Sequence, residues 1–524
     1  MERLILIGGQ AGFGAKRTSE IIGKIFTQMG YYVFNYRDYP SLIRGGHNFN
    51  VLKISNKPVY SHDEKYDVII AFDQNTINKH KKNLETNGYI IGDKTLKSNK
   101  ILHVDTQKII KDYHKAVYAN NVLIGALMKS FGLSLKETYS FFDKTFKNSK
   151  ELKEIIKFGY DNTKIKNKIF AGSKNKKYFL TGNDAISTGA IATGLDIYMA
   201  YPMTPATAVL HNLAEKQKQH NILSIQIEDE IAVANAAIGA SYTGANVMIG
   251  TSGGGFALMA ETMSLQGITE LPLTIYLSQR TGPGEGLPTY TEQSDLKFAL
   301  NAGNGEFPRI IIAPGDANEC SYRTAEAIYL SNKFKILSIL LGDKHISESN
   351  YTHDKISNII KTIERRKNIP GLGKSVLTNS YEHDKFGHTI EDAKITKLMK
   401  EERMKKLKLA EKEISKLNPV SVYGKGNKTI VGWGSTKGAM VDAIKEMKGY
   451  KFLQISYISP FPIKKVESVL KKSKKIILIE NNQTGQLGDI IREQTGIEIK
   501  NKLLKYDGRP FTKNEIIKGV KKWK

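Results

Sequence analysis

Short apolar runs alternate with small-residue helical patterns between residues 197 and 280 of this chain. Four of these runs end abruptly at a polar or glycine-rich loop. The four loops are residues 201–205, 228–230, 251–255 and 280–284. Strands that alternate with helices predict a parallel sheet, in which the loops after the strands share one edge and bind ligands there. The pattern therefore predicts a single crevice that contains a threonine, two acidic residues, a glycine-rich turn and an arginine.

The N-terminal part of the chain, residues 1–162, predicts an independent α/β domain. An apolar strand at residues 4–7 leads into a glycine turn at residues 8–14, and an amphipathic helix follows from about residue 16 to residue 29. Such a turn can cradle a phosphate in backbone N–H groups, although its spacing is not that of the dinucleotide fingerprint. A tight turn that packs the helix on the sheet is the structural alternative. Arg44, beside two glycines, suits either an anionic ligand or a surface turn.

The remaining chain divides by composition. Residues 163–177 hold six lysines and predict a solvated linker. Residues 178–347 form the α/β domain that carries the crevice, residues 348–425 predict a polar connecting arm with a charged helix, and residues 426–524 predict a further α/β unit. The predicted fold class is therefore α/β, with three doubly wound units. The run Glu382-His383-Asp384 in the arm invites a metal site, but three adjacent residues of a loop rarely converge on one ion, so we predict no metal.

Composition and charge exclude several classes of protein. The formal net charge is +26, but the lysines are scattered and no basic stripe is interleaved with aromatic residues, so we predict no nucleic-acid partner. A basic surface would instead favour acidic protein partners or anionic substrates. No apolar run reaches the length of a membrane span, and the first residues lack the layout of a signal peptide, so we expect a cytoplasmic protein without a membrane. The single cysteine, Cys320, excludes a cysteine-held iron–sulfur cluster in this chain.

The crevice loops carry a family resemblance. The run Thr251-Ser252-Gly253-Gly254-Gly255-Phe256-Ala257-Leu258-Met259, together with Tyr201-Pro202-Met203-Thr204-Pro205, resembles the alpha subunit of the 2-oxoacid:ferredoxin oxidoreductases, in the form with a gamma domain fused at the N-terminus. The other stretches that follow the family pattern, in the right order along the chain, are residues 8–14, 41–47, 180–183, 226–240, 280–296, 380–384 and 480–488. The resemblance implies a gamma-like domain, then a pyrimidine-side thiamine diphosphate domain, and last a transketolase C-terminal-like domain.

The resemblance also implies an activity. Members of the family decarboxylate a 2-oxoacid oxidatively to an acyl-CoA and pass the electrons to ferredoxin. Thiamine diphosphate is the implied cofactor and coenzyme A the implied co-substrate. The fused layout and residues 285–289 look most like the 2-oxoglutarate branch. Pyruvate, arylpyruvate and branched-chain 2-oxoacids are alternative substrates, and a non-catalytic scaffold subunit is the alternative from another class.

Individual site residues follow from the same resemblance. Glu230 aligns with the carboxylate that contacts N1′ of the aminopyrimidine, and the first turn of a helix holds such an acid ionised; Glu228 is its rival, and either also suits a helix cap. Thr204 looks like the threonine that donates near the substrate carboxylate. Arg280 looks like the arginine that binds this carboxylate, since a guanidinium is bidentate and always charged, with a structural ion pair as the alternative. The implied cofactor-binding residues are Glu230, Tyr201, Pro202, Thr251, Ser252, Gly253 and Gly254.

Departures from the family pattern limit what the resemblance implies. Ala206 stands where the family often has serine, which leaves the choice of substrate open, and residues 10–14 differ from the gamma pattern, which leaves the role of that turn in binding coenzyme A open. No Gly-Asp-Gly run is followed by the asparagine of the usual Mg²⁺–diphosphate signature. We therefore expect half a cofactor site here and a hetero-oligomer, in which a beta subunit supplies Mg²⁺, the diphosphate contacts and the iron–sulfur cluster.

Overall fold

The computed structural model of this chain describes residues 2–40, 45–169, 172, 177–357, 360, 370 and 377–523. The chain divides into two compact units. The first comprises Met1–Leu180, Ser349–Ile356 and Thr512–Asn514, and the second comprises Thr181–Glu348, Ser357–Phe511 and Glu515–Lys524. The second unit therefore includes most of both the predicted pyrimidine-side domain and the predicted C-terminal domain.

The strands and helices below are numbered in chain order within the described residues. The strands are β1 (Glu2–Gln10), β2 (Tyr32–Asp38), β3 (His47–Ser55), β4 (Tyr66–Ala71), β5 (Leu84–Asp93), β6 (Ile101–Val104), β7 (Tyr178–Thr181), β8 (Ile197–Ala200), β9 (Leu223–Gln226), β10 (Val247–Thr251), β11 (Leu273–Gln279), β12 (Arg309–Ile312), β13 (Leu337–Asp343), β14 (Asn350–His353), β15 (Val420–Gly424), β16 (Lys428–Gly432), β17 (Tyr450–Ile455), β18 (Tyr457–Ser459), β19 (Lys475–Glu480) and β20 (Asn501–Leu504). The helices are α1 (Ala15–Gln28), α2 (Gln74–His80), α3 (Thr106–Tyr113), α4 (Ala119–Ser130), α5 (Lys136–Thr145), α6 (Ser149–Asp161), α7 (Gly182–Ala192), α8 (Thr207–His220), α9 (Glu230–Tyr242), α10 (Gly253–Leu258), α11 (Ala260–Thr269), α12 (Leu296–Asn301), α13 (Ala317–Phe334), α14 (Lys344–Glu348), α15 (Ala393–Ile414), α16 (Lys437–Ile444), α17 (Ile463–Leu470), α18 (Gln486–Thr495) and α19 (Lys513–Lys521).

The first unit is built on a mixed sheet with the strand order β6-β5-β4-β1-β3-β2-β14-β7. Strand β1 lies parallel to β4 and antiparallel to β3. Its apolar residues are buried, and Ile5 and Ile7 belong to the main apolar core of this unit. Helix α1 follows the glycine turn and packs its apolar stripe into the same core. The predicted order of strand, glycine turn and amphipathic helix is therefore present at the start of the chain.

The larger sheet of the second unit has the strand order β18-β12-β13-β11-β10-β8-β9. Every neighbouring pair from β12 to β9 is parallel. Strands β10, β11 and β13 are buried along their whole length, as parallel strands covered by helices on both faces should be. The loops that follow β8, β9, β10 and β11 consequently lie at the same edge of the sheet, which the alternation of strands and helices predicted.

The C-terminal part of the second unit has a five-stranded sheet with the order β15-β17-β16-β19-β20. Strand β18, which comes directly after β17, leaves this sheet and pairs antiparallel with β12 in the larger sheet. One apolar core contains residues from both sheets, including Ile311, Trp433 and Ile455. The two sheets of this unit are thus joined by the pairing of β18 with β12 and by a common apolar core.

A buried ionic cluster also joins the two sheets of this unit. The Lys437 ammonium, at the start of α16, contacts Asp316 at 2.5 Å and Glu319 at 2.6 Å, both near the start of α13. Gln454 donates to Glu319 at 2.7 Å. The two carboxylates raise the pKa of the Lys437 ammonium far above its ordinary value, against the effect of burial. A charge buried in this way must stay paired, because removal of one partner leaves an uncompensated charge.

Three sheets with helices confirm the predicted α/β class, and two of these sheets lie in the second compact unit. The structure also includes the predicted charged helix of the arm, as α15. Arg44 and parts of the predicted linker and arm lie outside the described residues. The domain boundaries placed from the sequence stay predictions. Among the described residues, none of the helices combines the length and the apolar character that a membrane span needs.

Candidate functional site

The four loops of the predicted crevice lie at the carboxyl edge of the larger sheet. Arg280 follows β11 and reaches the loop after β8, where its Nη1 donates to the Thr204 carbonyl oxygen at 3.0 Å. The contact is with the Thr204 backbone, and the Thr204 side chain is half-buried. Tyr201 is exposed and Pro202 is half-buried in this loop. The first and fourth loops are therefore in direct contact.

Burial separates the two rival glutamates of the second loop. Glu230 is the first residue of α9 and is only 4% exposed, whereas Glu228 is exposed. The helix cap is supplied by Asp229, whose side chain accepts from the Ala232 N–H at 2.7 Å. Glu230 is thus not needed as a cap, and its Oε1 has no hydrogen-bond partner among the described residues. A buried carboxylate oxygen without a donor is costly unless a ligand supplies one.

The glycine-rich loop lies directly against Glu230. A Cβ atom built on Gly255 would come within 2.5 Å of Glu230 Oε1 and within 2.2 Å of Thr251 Oγ1. Thr251 and Ser252 are fully buried, and Ser252 Oγ has no partner among the described residues. Gly254 is exposed, with nothing near its Cβ position. Gly255 lies in the first turn of α10 and not in the predicted loop, and it is glycine because any side chain there would displace the carboxylate.

Arg280 makes an ion pair with Glu285 in the loop that follows β11. Its Nη2 lies 2.6 Å from Oε2 of Glu285, and the two side chains are 6% and 81% exposed. Its Nε is buried and has no partner among the described residues. The ion pair that was the structural alternative for Arg280 is thus present. It uses only part of the guanidinium group, since Nε stays without a partner among the described residues.

Two further acids close to these loops were not singled out from the sequence. Asp295 Oδ2 would be 2.5 Å from a Cβ on Gly253, and the Asp295 N–H donates to Gln279 Oε1 at 2.9 Å. Burial, and then the charge of Asp295, raises the pKa of the Glu292 carboxyl to about 7, and burial raises the pKa of Asp295 to about 6. The signal in the sequence is two acids three residues apart, shortly after the Arg280 loop.

The residues of the arm motif are engaged separately. Glu382 accepts from Arg403 Nη2 at 2.9 Å, and Asp384 accepts from the backbone N–H of Phe386 at 2.8 Å. His383 Nδ1 contacts the Tyr381 carbonyl oxygen at 2.9 Å. Over the described residues, no group of three or more His, Cys, Asp or Glu side chains is arranged to hold a metal ion.

The N-terminal glycine turn borders a separate cavity of about 280 Å³ inside the first unit. The lining is largely apolar and includes Gly12, Phe13, Phe72 and Leu123, with polar groups from Asp93. The turn ends at Gly14, whose φ of 86° is in the left-handed region that favours glycine. The cavity lies beyond the carboxyl ends of parallel strands, a common place for a ligand.

Comparisons with known proteins identify the class of enzyme. The family profile described as "Pyruvate flavodoxin/ferredoxin oxidoreductase, thiamine diP-bdg" matches residues 188–419, which include all four crevice loops. The profile described as "Pyruvate ferredoxin/flavodoxin oxidoreductase" matches residues 4–164. Fold, crevice and profiles together define an oxidoreductase whose crevice belongs to a thiamine diphosphate-binding region, which confirms the predicted cofactor.

Individual relatives narrow this class. The 2-oxoacid:ferredoxin oxidoreductase subunit alpha of Sulfolobus sp is 31% identical in an alignment that covers 98% of this chain and 95% of that protein. The 2-oxoglutarate synthase subunit KorA of Archaeoglobus fulgidus is 30% identical over 320 residues, which cover 60% of this chain and 89% of that protein. The solved 2-oxoglutarate:ferredoxin oxidoreductase from Magnetococcus marinus matches with a TM-score of 0.91 and 25% identity, over 99% of both chains. The chain therefore belongs to the 2-oxoacid:ferredoxin oxidoreductase family and corresponds to its alpha subunit over nearly the whole length.

The crevice residues fit the aminopyrimidine half of thiamine diphosphate. A buried carboxylate oxygen without a donor lies directly against the backbone of Gly255, so close that even a methyl group would not fit between them. An aminopyrimidine has ring nitrogens and an amino group that pair with such a carboxylate and with backbone groups. These features concern Glu230 and Gly255 of this chain and are independent of the family match.

Proposed function

We propose that this chain supplies the pyrimidine-binding and substrate-binding half of a 2-oxoacid:ferredoxin oxidoreductase that acts on 2-oxoglutarate. The observation that carries the proposal is the buried Glu230 carboxylate, which lies against Gly255 and has an Oε1 without a partner in the described part of the chain. The relative from Archaeoglobus fulgidus is named as a 2-oxoglutarate synthase subunit, and the solved enzyme from Magnetococcus marinus contains 2-oxoglutarate, coenzyme A and succinyl-CoA, which supports 2-oxoglutarate as the oxoacid.

Glu230 is the residue proposed to act on the cofactor. When bound, thiamine diphosphate supplies the nucleophilic carbon and the electron sink that decarboxylation requires. With the cofactor bound, Glu230 would hold the proton at N1′ of the aminopyrimidine through Oε1, and it stands at the first position of α9. Tyr201, Pro202 and the run Thr251-Ser252-Gly253-Gly254 are proposed to bind around the ring.

Arg280 and Thr204 are proposed to orient the oxoacid. Arg280 is almost fully buried and is fixed by its contact with the Thr204 carbonyl oxygen, so its remaining N–H groups point in a defined direction. Nε and Nη2 form one edge of the guanidinium, which matches the two oxygens of a carboxylate. The Thr204 hydroxyl is proposed to donate near this carboxylate.

A beta subunit is proposed to complete the site. Exposed apolar side chains follow or lie within the crevice loops, where a monomeric protein would expose polar ones; they are Tyr201, Ile231, Leu258 and Leu287. The partner would bring Mg²⁺, the diphosphate contacts and the iron–sulfur cluster, since this chain has one cysteine, which is buried. A single cysteine in a chain of this length also fits the reducing cytoplasm. Ferredoxin is the proposed electron acceptor.

The cavity of the first unit is proposed to take part of coenzyme A. Its apolar lining suits an adenine ring, and the neighbouring turn at the start of α1 presents backbone N–H groups that suit a phosphate. Binding of coenzyme A to the Phe13→Ala and Phe72→Ala variants, measured by calorimetry on the assembled enzyme, tests this assignment.

The central test compares two glutamine variants in the complex of this chain with its beta subunit. Glu230→Gln keeps the shape of the side chain but removes the charge that holds the proton at N1′. The exchange rate of the C2 hydrogen of bound thiamine diphosphate, followed by NMR, should fall by about 10²–10⁴-fold, which is the usual contribution of general acid–base help. Glu228→Gln is the matched control and should leave this rate unchanged within about two-fold, because the side chain is exposed.

The two variants separate the possible outcomes. Loss of exchange in Glu228→Gln with normal exchange in Glu230→Gln would move the assignment by two residues. Normal exchange in both variants would show that this crevice does not bind the aminopyrimidine, and the proposed function would fail.

A further inference from the structure

We infer that Glu285 competes with the substrate carboxylate for Arg280. Glu285 occupies Arg280 until a 2-oxoacid displaces it, and this competition sets the apparent affinity for the substrate. The inference rests on the proposed function, because it takes Arg280 as the group that binds the oxoacid. In this role Glu285 weakens the binding of the substrate through a contact within the chain itself.

The contact has the chemistry of a bound carboxylate. Glu285 Oε2 lies 2.6 Å from Arg280 Nη2, a normal distance for a charge-assisted hydrogen bond. The guanidinium is 6% exposed while the Glu285 side chain is 81% exposed. The cation is therefore fixed in the protein, whereas the anion extends from the surface and can leave into water at little cost.

The loop that carries Glu285 is anchored at its base and glycine-rich at its tip. Thr281 and Leu287 form an antiparallel bridge, and the Leu287 N–H donates to the Thr281 carbonyl oxygen at 3.1 Å. Within the closed tip, Gly284 and Gly286 have φ values of 63° and 48° and flank Glu285 on both sides. Release of Arg280 thus requires rotation of one exposed side chain and no change in the strand before it.

Arg280 is only half used by this internal partner. Nη1 is occupied by the Thr204 carbonyl oxygen, and Nη2 by one oxygen of Glu285, but the buried Nε has no partner among the described residues. A substrate carboxylate that places one oxygen on Nε and the other on Nη2 satisfies both donors. A ligand that uses both Nε and Nη2 gains one more charge-assisted hydrogen bond than Glu285 and places a second negative charge beside it, so that Glu285 is displaced, whereas an anion that reaches only Nη2 gains nothing over it. The competition selects for a planar carboxylate.

The size of the effect follows from the exposure of the pair. An ion pair with one exposed partner typically favours the paired state over the unpaired state about 1.4- to 5-fold. Such a pair raises the apparent dissociation constant of a competing anion about two- to six-fold. Removal of the Glu285 charge should lower the KM for the oxoacid by the same factor. The effect should appear in KM and not in kcat, because Glu285 has already left Arg280 when the substrate is bound.

The test uses Glu285→Gln in the complete enzyme, with Glu306→Gln as the matched control. Glu306 is also exposed, but it precedes β12 and so lies at the opposite, amino edge of the sheet. Two readouts are needed: KM and kcat for 2-oxoglutarate, and the dissociation constant of N-oxalylglycine, an unreactive isostere, by calorimetry. In Glu285→Gln, both KM and the dissociation constant should fall about two- to six-fold, and in Glu306→Gln neither should change.

A double variant identifies the route. In the Arg280→Lys background the Glu285→Gln change should lose most of its effect, because the shared partner has been altered. Unchanged or weaker binding of the isostere in Glu285→Gln, with a normal response in the control, would overturn the inference. Failure of the proposed function looks different, since the unmodified complex would then neither bind the isostere nor turn over 2-oxoglutarate.

Discussion

The replacement of Gly255 by alanine tests the crevice most sharply, because two physical effects there oppose each other. Gly255 lies within α10, and alanine in a helix is usually favoured over glycine by about 0.5–1 kcal/mol. Its added methyl group would however meet Glu230 Oε1 at 2.5 Å and Thr251 Oγ1 at 2.2 Å, where ordinary contacts begin at 3.4 Å. Overpacking of this kind typically costs about 1–3 kcal/mol. The clash should therefore win, with a small net loss in the free energy of unfolding.

The loss of activity should be far larger than the loss of stability. To relieve the overlap, the Glu230 carboxylate has to retreat by about 1 Å. A displacement of about 1 Å at a reacting group can cost about 10²-fold in rate. Oxoacid-dependent reduction of ferredoxin by the reconstituted complex and the denaturant midpoint of the isolated chain measure the two effects.

Gly239 supplies the matched control. It lies in α9, the helix that begins with Glu230, is exposed, and has no atom within 4 Å of its Cβ position. Gly239→Ala should stabilise the chain by about 0.5–1 kcal/mol and leave the rate intact. If Gly255→Ala keeps the full rate, or if both variants lose it equally, the placement of Glu230 against the glycine-rich loop is refuted.

Two other predictions concern buried charges. Lys437→Met should lower the free energy of unfolding by about 3–5 kcal/mol, because it leaves the carboxylates of Asp316 and Glu319 without a compensating charge. Lys471→Met, which removes an exposed pair with Glu467, is the control and should cost less than about 1 kcal/mol. Equal urea midpoints for the two variants would contradict this prediction. Burial raises the pKa of Glu292 from 4.5 to about 7, so folding favours its protonated form, and this stabilisation is present below pH 4.5 and is lost as the pH rises through 7. Glu292→Gln should therefore flatten the decline of unfolding free energy across this window, and an unchanged pH dependence would show that Glu292 ionises normally in the folded chain.

The strand ends and the crevice could be predicted from the sequence because both depend on local patterns. The run Ile197–Ala200 is a strand with the predicted bounds, and helix α9 begins at Glu230, directly after the acidic loop. Parallel strands that alternate with helices leave little freedom in where the following loops lie. This is why Thr204 and Arg280, 76 residues apart, were expected at one edge and are in contact there.

Other features depend on contacts that no local pattern encodes. Lys437 pairs with Asp316 across 121 residues of the chain, and the sequence around each residue reads as an ordinary surface charge. Strand β18 has three residues, too few for periodicity to show which sheet it joins. The choice between Glu228 and Glu230 also needed the structure, because both fit the loop and only burial distinguishes them.

The insertion of β18 beside β12 has a consequence for synthesis of the chain. Residues Arg309–Ile312 emerge from the ribosome well before Tyr457–Ser459, and at about 5–20 residues per second the interval is roughly 7–30 seconds. During this interval one edge of the larger sheet has no strand to pair with, and an unpaired edge is a template for association with other chains. The nascent chain is thus most vulnerable after its first two-thirds have been made, when the crevice strands are complete but their sheet is not.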